Sequence, residues 1–243
     1  MKVLFACDLD NTLIHSHKKF RDGDICVEHY DGREQSFISP RALALLKEVA
    51  AQILFVPVTT RSIAQYRRIF WAGDFRPRYA VVANGAYLLD GERQENFLRD
   101  VVAPHVDELQ NLREKFSTDE RFNICRIVDE SFLFLRCRDD VDAATIFFDT
   151  RLTAQHTGKK IYLFPPALNK GNALKKLAKK FAAEKIFAAG DSEIDLPMLE
   201  LADVAFYPFS GTRNQELGTS SDFAEDFLWA TKVYTEDTLN FSD

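Results

Sequence analysis

No stretch of the 243-residue chain stays apolar long enough to cross a bilayer. The first apolar run, residues 3–7, is cut off by Asp8 and is too short for the apolar core of a secretory signal. Cysteine is scarce. Cys7, Cys26, Cys125 and Cys137 form no CxxC pair and have no histidine at metal-ligand spacing, which excludes the common structural zinc sites. With no export signal, a reduced, cytoplasmic protein is expected. A basic excess is lacking too: 31 Lys and Arg against 37 Asp and Glu leave a net charge of −6 and a pI near 5.5. No chain-wide field is available to attract nucleic acid or anionic lipid, so neither is expected as a partner. Internal repeats, low-complexity tracts and heptads are missing as well. What remains is the composition of a soluble globular protein, 46% apolar and 28% charged, long enough for one large domain or two small ones.

The chain is organised around the first apolar run and the turn after it, Asp8-Leu9-Asp10-Asn11-Thr12-Leu13. A continuous run of five apolar residues suits a strand buried on both faces of a parallel sheet. Two acids at its C-terminal end stand where open α/β sheets place their sites. A hairpin is expected next, with Asp31-Gly32 between residues 25–30 and 33–38, close enough to the acidic turn to fold over it. His15, His17 and His29 lie in this region without recognisable partners and are read as surface residues.

Ser39-Pro40 opens a helix with Leu43, Leu46 and Val49 at helical spacing. A strand over 53–58 ends in Thr59-Thr60-Arg61, a helix carries Ile63, Tyr66, Ile69 and Phe70, and a strand over 79–83 ends in Asn84-Gly85, read as a turn. Strand and helix alternate here as in a right-handed parallel layer. From 86 to about 164 the pattern changes: strands over 86–89, 122–128, 131–137 and 160–164, with helices expected over 104–116 and 141–153. That mixture reads as an α+β module inserted into the first domain, with Pro165-Pro166 as the hinge back. The parallel grammar then resumes with Lys170-Gly171 and a helix whose wet face carries Lys175, Lys176, Lys179 and Lys180. A strand over 186–189 follows, ending in Gly190-Asp191-Ser192-Glu193-Ile194-Asp195, then a short helix, a strand over 204–206, a final helix and a polar tail. The expected division is an α/β core of 1–84 and 166–243, with 85–165 inserted.

Asp8, Asp10, Thr59, Thr60, Lys170, Asp191 and Asp195 thus stand at strand ends or helix entrances of one parallel sheet and can converge. Carboxylates gathered in one cleft repel each other, and a hard divalent cation removes the conflict. Mg²⁺ suits one or two carboxylates with phosphate oxygens and water. Threonine hydroxyls, turn amides and a lysine suit a phosphoryl group, whose transfer needs positioning and charge neutralisation.

In their order and composition these segments resemble the four motifs of the haloacid dehalogenase superfamily, closest to its Mg²⁺-dependent phosphatases. The inserted module resembles the α/β cap of the branch holding sucrose-phosphate, mannosyl-3-phosphoglycerate and Cof-type sugar-phosphate phosphatases. The resemblance spans residues 3–206 and implies a Rossmann-like core with an inserted α+β cap. It implies that Asp8 attacks phosphorus to form an aspartyl-phosphate, and that Asp10 protonates the leaving alcohol and then activates water. It further implies that Thr59, with Thr60, binds phosphate and that Lys170 steadies nucleophile and phosphoryl group. Mg²⁺ would sit on Asp8, the Asp10 carbonyl and Asp191, with Asp195 binding or orienting a metal water. Two positions depart from the pattern: Thr60 replaces a usual Gly, and Ile194 replaces a usual Asn. The expected function is hydrolysis of a small phosphomonoester, of sugar-like character. A sugar phosphomutase of the same superfamily and a non-catalytic phosphometabolite-binding protein are the alternatives.

Overall fold

Residues 3–7 are buried, and they form β1 (Val3–Cys7) inside a four-stranded parallel sheet in the computed structural model, which describes residues 1–73, 75–208 and 222–240. After β2 (His15–Ser16), the expected hairpin forms from β3 (Ile25–Tyr30) and β4 (Arg33–Ile38), turning through Asp31 and Gly32, both at positive φ. Ser39 caps α1 (Pro40–Gln52) by accepting a 3.0 Å hydrogen bond from the Ala42 amide. β5 (Leu54–Pro57) runs parallel to β1. Pro57 does not interrupt the sheet, because the next amide, Val58, donates to the Cys7 carbonyl at 2.8 Å.

The helix expected through Phe70 stops early, as α2 (Ile63–Arg67). Ile69 instead bridges to Glu28, and the Phe70 amide donates to the Val27 carbonyl, so the hairpin claims those residues. β6 (Tyr79–Val82) joins the parallel layer through a Val58–Val81 bridge. It then folds back as β7 (Tyr87–Asp90) and β8 (Arg93–Asn96).

α3 (Val106–Ser117) lies on an antiparallel sheet made of β9 (Phe122–Val128), β10 (Phe132–Cys137), β11 (Thr153–Thr157) and β12 (Lys160–Phe164), in the order β11-β12-β10-β9. The helix expected over 141–153 is not there. A single 3₁₀ turn, Ala143–Thr145, leads into extended chain. Ile146 is buried while Phe147 is 92% exposed, and Leu152 is buried again, an alternation that no helical face provides. Side-chain bonds hold the segment: Asp142 accepts from the Ala144 amide, and Glu108 accepts from the Thr150 hydroxyl at 2.6 Å and the Arg151 amide at 2.9 Å.

The chain returns as α4 (Lys170–Phe181), β13 (Lys185–Ala189), α5 (Leu196–Leu199), β14 (Val204–Phe206) and α6 (Phe223–Asn240). The parallel order is β14-β13-β1-β5. The expected polar tail lies outside the described residues. Both faces of this sheet are covered. Phe5 packs edge-on against Phe55, Phe187 and Phe227 at 5.7–6.3 Å, on the side of α1 and α6. Leu4 and Ala6 meet Leu174, Leu177 and Met198 from α4 and α5 on the other.

Gly171 sets how closely α4 approaches α5. A Cβ at this position would lie 2.3 Å from the Pro197 carbonyl oxygen, a backbone atom that cannot swing aside. Gly171→Ala should therefore cost about 1–3 kcal/mol through overpacking. Thermal unfolding checks this, and a variant that melts with the parent would show that the helices separate freely.

Candidate active site

β1 ends at the mouth of the parallel sheet, and its register with β13 carries Asp8 beyond Cys7 and Ala189, where the Asp8 amide donates to the Ala189 carbonyl at 2.9 Å. Lys170, at the first turn of α4, is 1% exposed and donates to Asp8 Oδ1 at 2.5 Å and to Asp195 Oδ1 at 2.6 Å. Asp195 Oδ2 accepts from the Asp191 and Ser192 amides at 3.2 and 3.0 Å and from Ser192 Oγ at 2.8 Å. The bonds of Asp195 thus run to its own turn and to Lys170, and they hold the 190–195 loop in shape. Gly190 permits this, since a Cβ there would collide with the Asp195 side chain at 2.4 Å.

One oxygen each of Asp8, Asp191 and Asp195 come within 4.8 Å of one another. Thr12 Oγ lies 3.2 Å from both Asp8 Oδ2 and Asp191 Oδ1, yet a hydroxyl carries a single proton and can satisfy only one of them. Burial, reinforced by Asp195 and Asp10, pushes the Asp8 carboxyl up to about 7 against the pull of Lys170. Burial and the Asp195 charge likewise raise Asp191. Burial alone would lower Lys170, but Asp195 and Asp8 outweigh it and hold the ammonium charged. Four carboxylates, Asp8, Asp10, Asp191 and Asp195, face two cations, Lys170 and Arg61. The deficit equals the charge of one divalent ion, and the oxygen-only donor set fits Mg²⁺.

Asp10 stands apart from this cluster, half exposed, in a bidentate pair with Arg61: Nε to Oδ2 at 2.8 Å and Nη2 to Oδ1 at 2.7 Å. Burial acts to raise its carboxyl, but the hydrogen bonds and charge of Arg61 prevail and lower it. Arg61 is itself held by Glu28 at 2.8 Å, a fully buried acid on β3 that also pairs with Arg68 at 3.0 Å and accepts from Ser36 at 2.6 Å. The hairpin therefore reaches the site through Glu28 and Arg61. Nothing in the sequence pattern singled out Glu28, and Arg61 stood unassigned beside the threonines. The usable signal was one acid in an apolar strand, two residues after Cys26.

Thr59 is buried, and its hydroxyl accepts from the Arg61 amide at 3.1 Å. Thr60 replaces the usual Gly without strain, because it is not among the residues at positive φ. Tyr162, which β12 brings over the site, lies beside it. Burial and the Asp10 charge push that phenol up to about 12. Ile194 is buried in the hydrophobic core, so the position of the usual Asn presents no polar group to the site. Asn84 is more than a turn residue: at φ 57° its amide donates to the Thr59 carbonyl and its Nδ2 to the Leu168 carbonyl, both at 3.0 Å. It ties the Thr59 loop to the entrance of α4. His17 and His29 are exposed as expected, while His15 is half-buried and pairs with Asp24 at 2.7 Å; Cys26, His29 and Glu34 bring ligand atoms within 4.8 Å across the hairpin. Bulges around Glu28 re-aim these side chains, a displacement invisible in the sequence.

Residues 105–207 match the family model described as haloacid dehalogenase-like hydrolase. Phosphoglycolate phosphatase of Methanothrix thermoacetophila is 25% identical over 173 residues, 68% of this chain and 72% of that one. Among solved structures, the sucrose-phosphatase of Synechocystis sp. PCC6803, in complex with sucrose and phosphate, superposes with a TM-score of 0.64 at 18% identity. A Thermoplasma acidophilum protein does so with 0.65 at 16%. Each alignment covers 97% of this chain and 99% of the other, and at such identities the likeness is one of fold. Over residues 105–207, less than half of the chain, the sequence is similar to the haloacid dehalogenase-like hydrolases.

The raised Asp8 carboxyl fixes a sign. An acid bound more tightly to its proton in the folded protein stabilises the fold at low pH, and that contribution is lost as pH rises from about 4 through about 7. Asp8→Asn does not titrate, so in metal-free buffer its melting temperature should rise relative to the parent across this window. A constant difference between the two proteins from pH 5 to pH 8 would mean that Asp8 ionises as an ordinary surface acid.

Proposed function

We propose that this hydrolase is a Mg²⁺-dependent phosphomonoesterase acting through an aspartyl-phosphate on a small phosphorylated metabolite. The observation that carries the reading is the buried Asp8–Lys170–Asp195 chain beside Asp191, at the carboxyl edge of the parallel sheet. Bound at Asp8, Asp191 and the Asp10 carbonyl, Mg²⁺ would supply the missing positive charge around the phosphoryl group. Asp195 acts on that site by shaping the 190–195 loop.

Within this arrangement Asp8 is the nucleophile. Lys170 fixes Oδ1 and leaves Oδ2 to attack phosphorus as the ester P–O bond breaks. Asp10 supplies the proton for the departing oxygen and afterwards takes one from the water that cleaves the aspartyl-phosphate. The Arg61 pair keeps Asp10 ionised at rest, the form needed as a base. A phosphate dianion arriving beside Asp10 raises its proton affinity, so that Asp10 takes up a proton from solvent and can pass it to the departing oxygen. Thr59 and the Thr60 amide bind the phosphoryl oxygens, and Lys170 neutralises them.

The insertion acts as a cap that excludes water and chooses the alcohol. β7 and β8 pair with β6, and Leu88 and Phe97 pack with Leu174 from α4, so we place the start of the cap near residue 98, later than the boundary expected at 85. Four free thiols suit the reducing cytoplasm. Among the described residues no helix is long and apolar enough to cross a membrane. The named phosphatases, one for phosphoglycolate and one for a sucrose ester, support a small phosphomonoester substrate.

Phosphate release from an aryl phosphate should need added Mg²⁺, stop with chelator, and fall by at least about a thousandfold in Asp8→Asn while the fold persists by circular dichroism. Full activity in chelator would remove the metal. Isomerised ester in place of free phosphate would make the protein a mutase, and silence across a panel of phosphorylated metabolites would leave only binding.

A further inference from the structure

The antiparallel sheet of the cap has two unlike faces. Odd-numbered residues of its central strands, Leu133, Leu135, Ile161 and Leu163, are buried in the core. The even-numbered face begins beside the hinge with Phe132 and Phe164, continues with Phe134 and Tyr162, and ends with Arg136 and Lys160, which are register partners. On the neighbouring strand Arg126 pairs with Phe134 and lays its guanidinium over that ring at 5.5 Å.

This face is turned to the catalytic edge. Tyr162 lies near Thr60, Asp10 and Asp8, and Lys160 is close enough for its charge to act on Asp10. The hairpin tip pins the orientation, since the Asp129 carboxylate accepts from the Ile63 amide at 2.7 Å and its carbonyl from the Tyr87 hydroxyl at 3.1 Å. Lys160 lies two residues beyond Tyr162, about 7 Å further from the threonines along the strand. That is the reach of a group a few atoms away from the transferring phosphorus.

Arg126, Arg136 and Lys160 are all exposed, and none has an ion-pair partner among the described residues. Most other arginines near the site or on the cap are paired: Arg61 and Arg68 with Glu28, Arg99 with Glu130, Arg121 with Asp119, Arg138 with Asp140 and Arg151 with Glu108. A wet sheet face normally mixes both signs, whereas the acids facing this one across the cleft belong to the catalytic edge.

We propose that Arg136 and Lys160, flanked by Arg126, form a subsite for a second anionic group of the substrate, and that the preferred substrates are phosphomonoesters bearing a carboxylate or a second phosphate. The subsite rests on the phosphatase reading and specifies the alcohol half that reading leaves open. Tyr162 and Phe134 line the span between the two anions and suit a short carbon chain or the apolar face of a sugar ring. Charge complementarity of this kind selects among substrates more than it accelerates the chemistry.

Matched pairs of esters test the subsite with Mg²⁺ present: 3-phosphoglycerate against glycerol 3-phosphate, and fructose 1,6-bisphosphate against fructose 6-phosphate. In at least one pair kcat/KM should be about tenfold or more higher for the ester with the extra anion, as one charge-assisted contact would give. Added salt should shrink that preference. Lys160→Gln and Arg136→Gln should each lower the ratio within the pair about fivefold to tenfold, and Arg136→Lys should restore much of it. Equal or better cleavage of the neutral partner in both pairs would overturn the subsite, as would variants that slow both esters of a pair in parallel. If no ester of either kind were cleaved, the phosphatase reading itself would fall, and the subsite with it.

Discussion

A lysine buried between two aspartates holds the catalytic edge together. Lys170 is 1% exposed, and its two short bonds to Asp8 and Asp195 join the end of β1 to the loop after β13. Desolvating three charges is costly, and only close geometry with further hydrogen bonds offsets it. Asp195 obtains those bonds from the 190–195 turn, whereas Asp8 and Asp191 compete for the single proton of Thr12. The result is an edge whose structure is complete at Asp195 and electrostatically unfinished at Asp8 and Asp191. In the function proposed for it, a cation and a phosphoryl group complete this edge.

A second chain of charges links the acidic turn to the hairpin folded over it. Asp10, Arg61, Glu28 and Arg68 alternate in sign, with Glu28 fully buried at the middle. Removing one partner of such a network leaves an uncompensated buried charge, typically at a cost of about 3–5 kcal/mol. The hairpin thereby holds the Arg61 fork, and with it the ionised state of Asp10. The antiparallel sheet also approaches, through Asp129, which accepts from the Ile63 amide, and through Tyr162. Asp10 is thus governed by two elements that are distant from it in sequence, while Asp8 is governed by the sheet itself.

Much of this edge was legible in the sequence because steric needs and chemistry coincide there. Gly171 and Gly190 flank Lys170 and Asp191 for reasons of close approach, and those glycines made the motifs recognisable. The apolar run of β1 and the Asp31-Gly32 turn were equally plain, since each follows from local rules. What stayed hidden depends on distant partners. The stretch over 141–153 has a helix-like composition, yet Glu108 on α3 binds Thr150 and Arg151 and draws it into extended form. Glu28 looked like an ordinary polar residue in a half-buried strand, and only the fold shows two arginines around it. Ile194 and Thr60 stood out as departures from the pattern; one lies in the core and the other adopts an unstrained backbone.

The central claim is that a divalent ion displaces protons from a cluster of buried carboxylates. Titration calorimetry with Mg²⁺ near pH 7, repeated in buffers of different ionisation enthalpy, measures the protons released on binding. Binding accompanied by proton release, which fades as pH rises above the Asp8 range and is lost in Asp8→Asn, is the expected result. Mg²⁺ binding with no buffer dependence, or no binding at millimolar concentration, would contradict it.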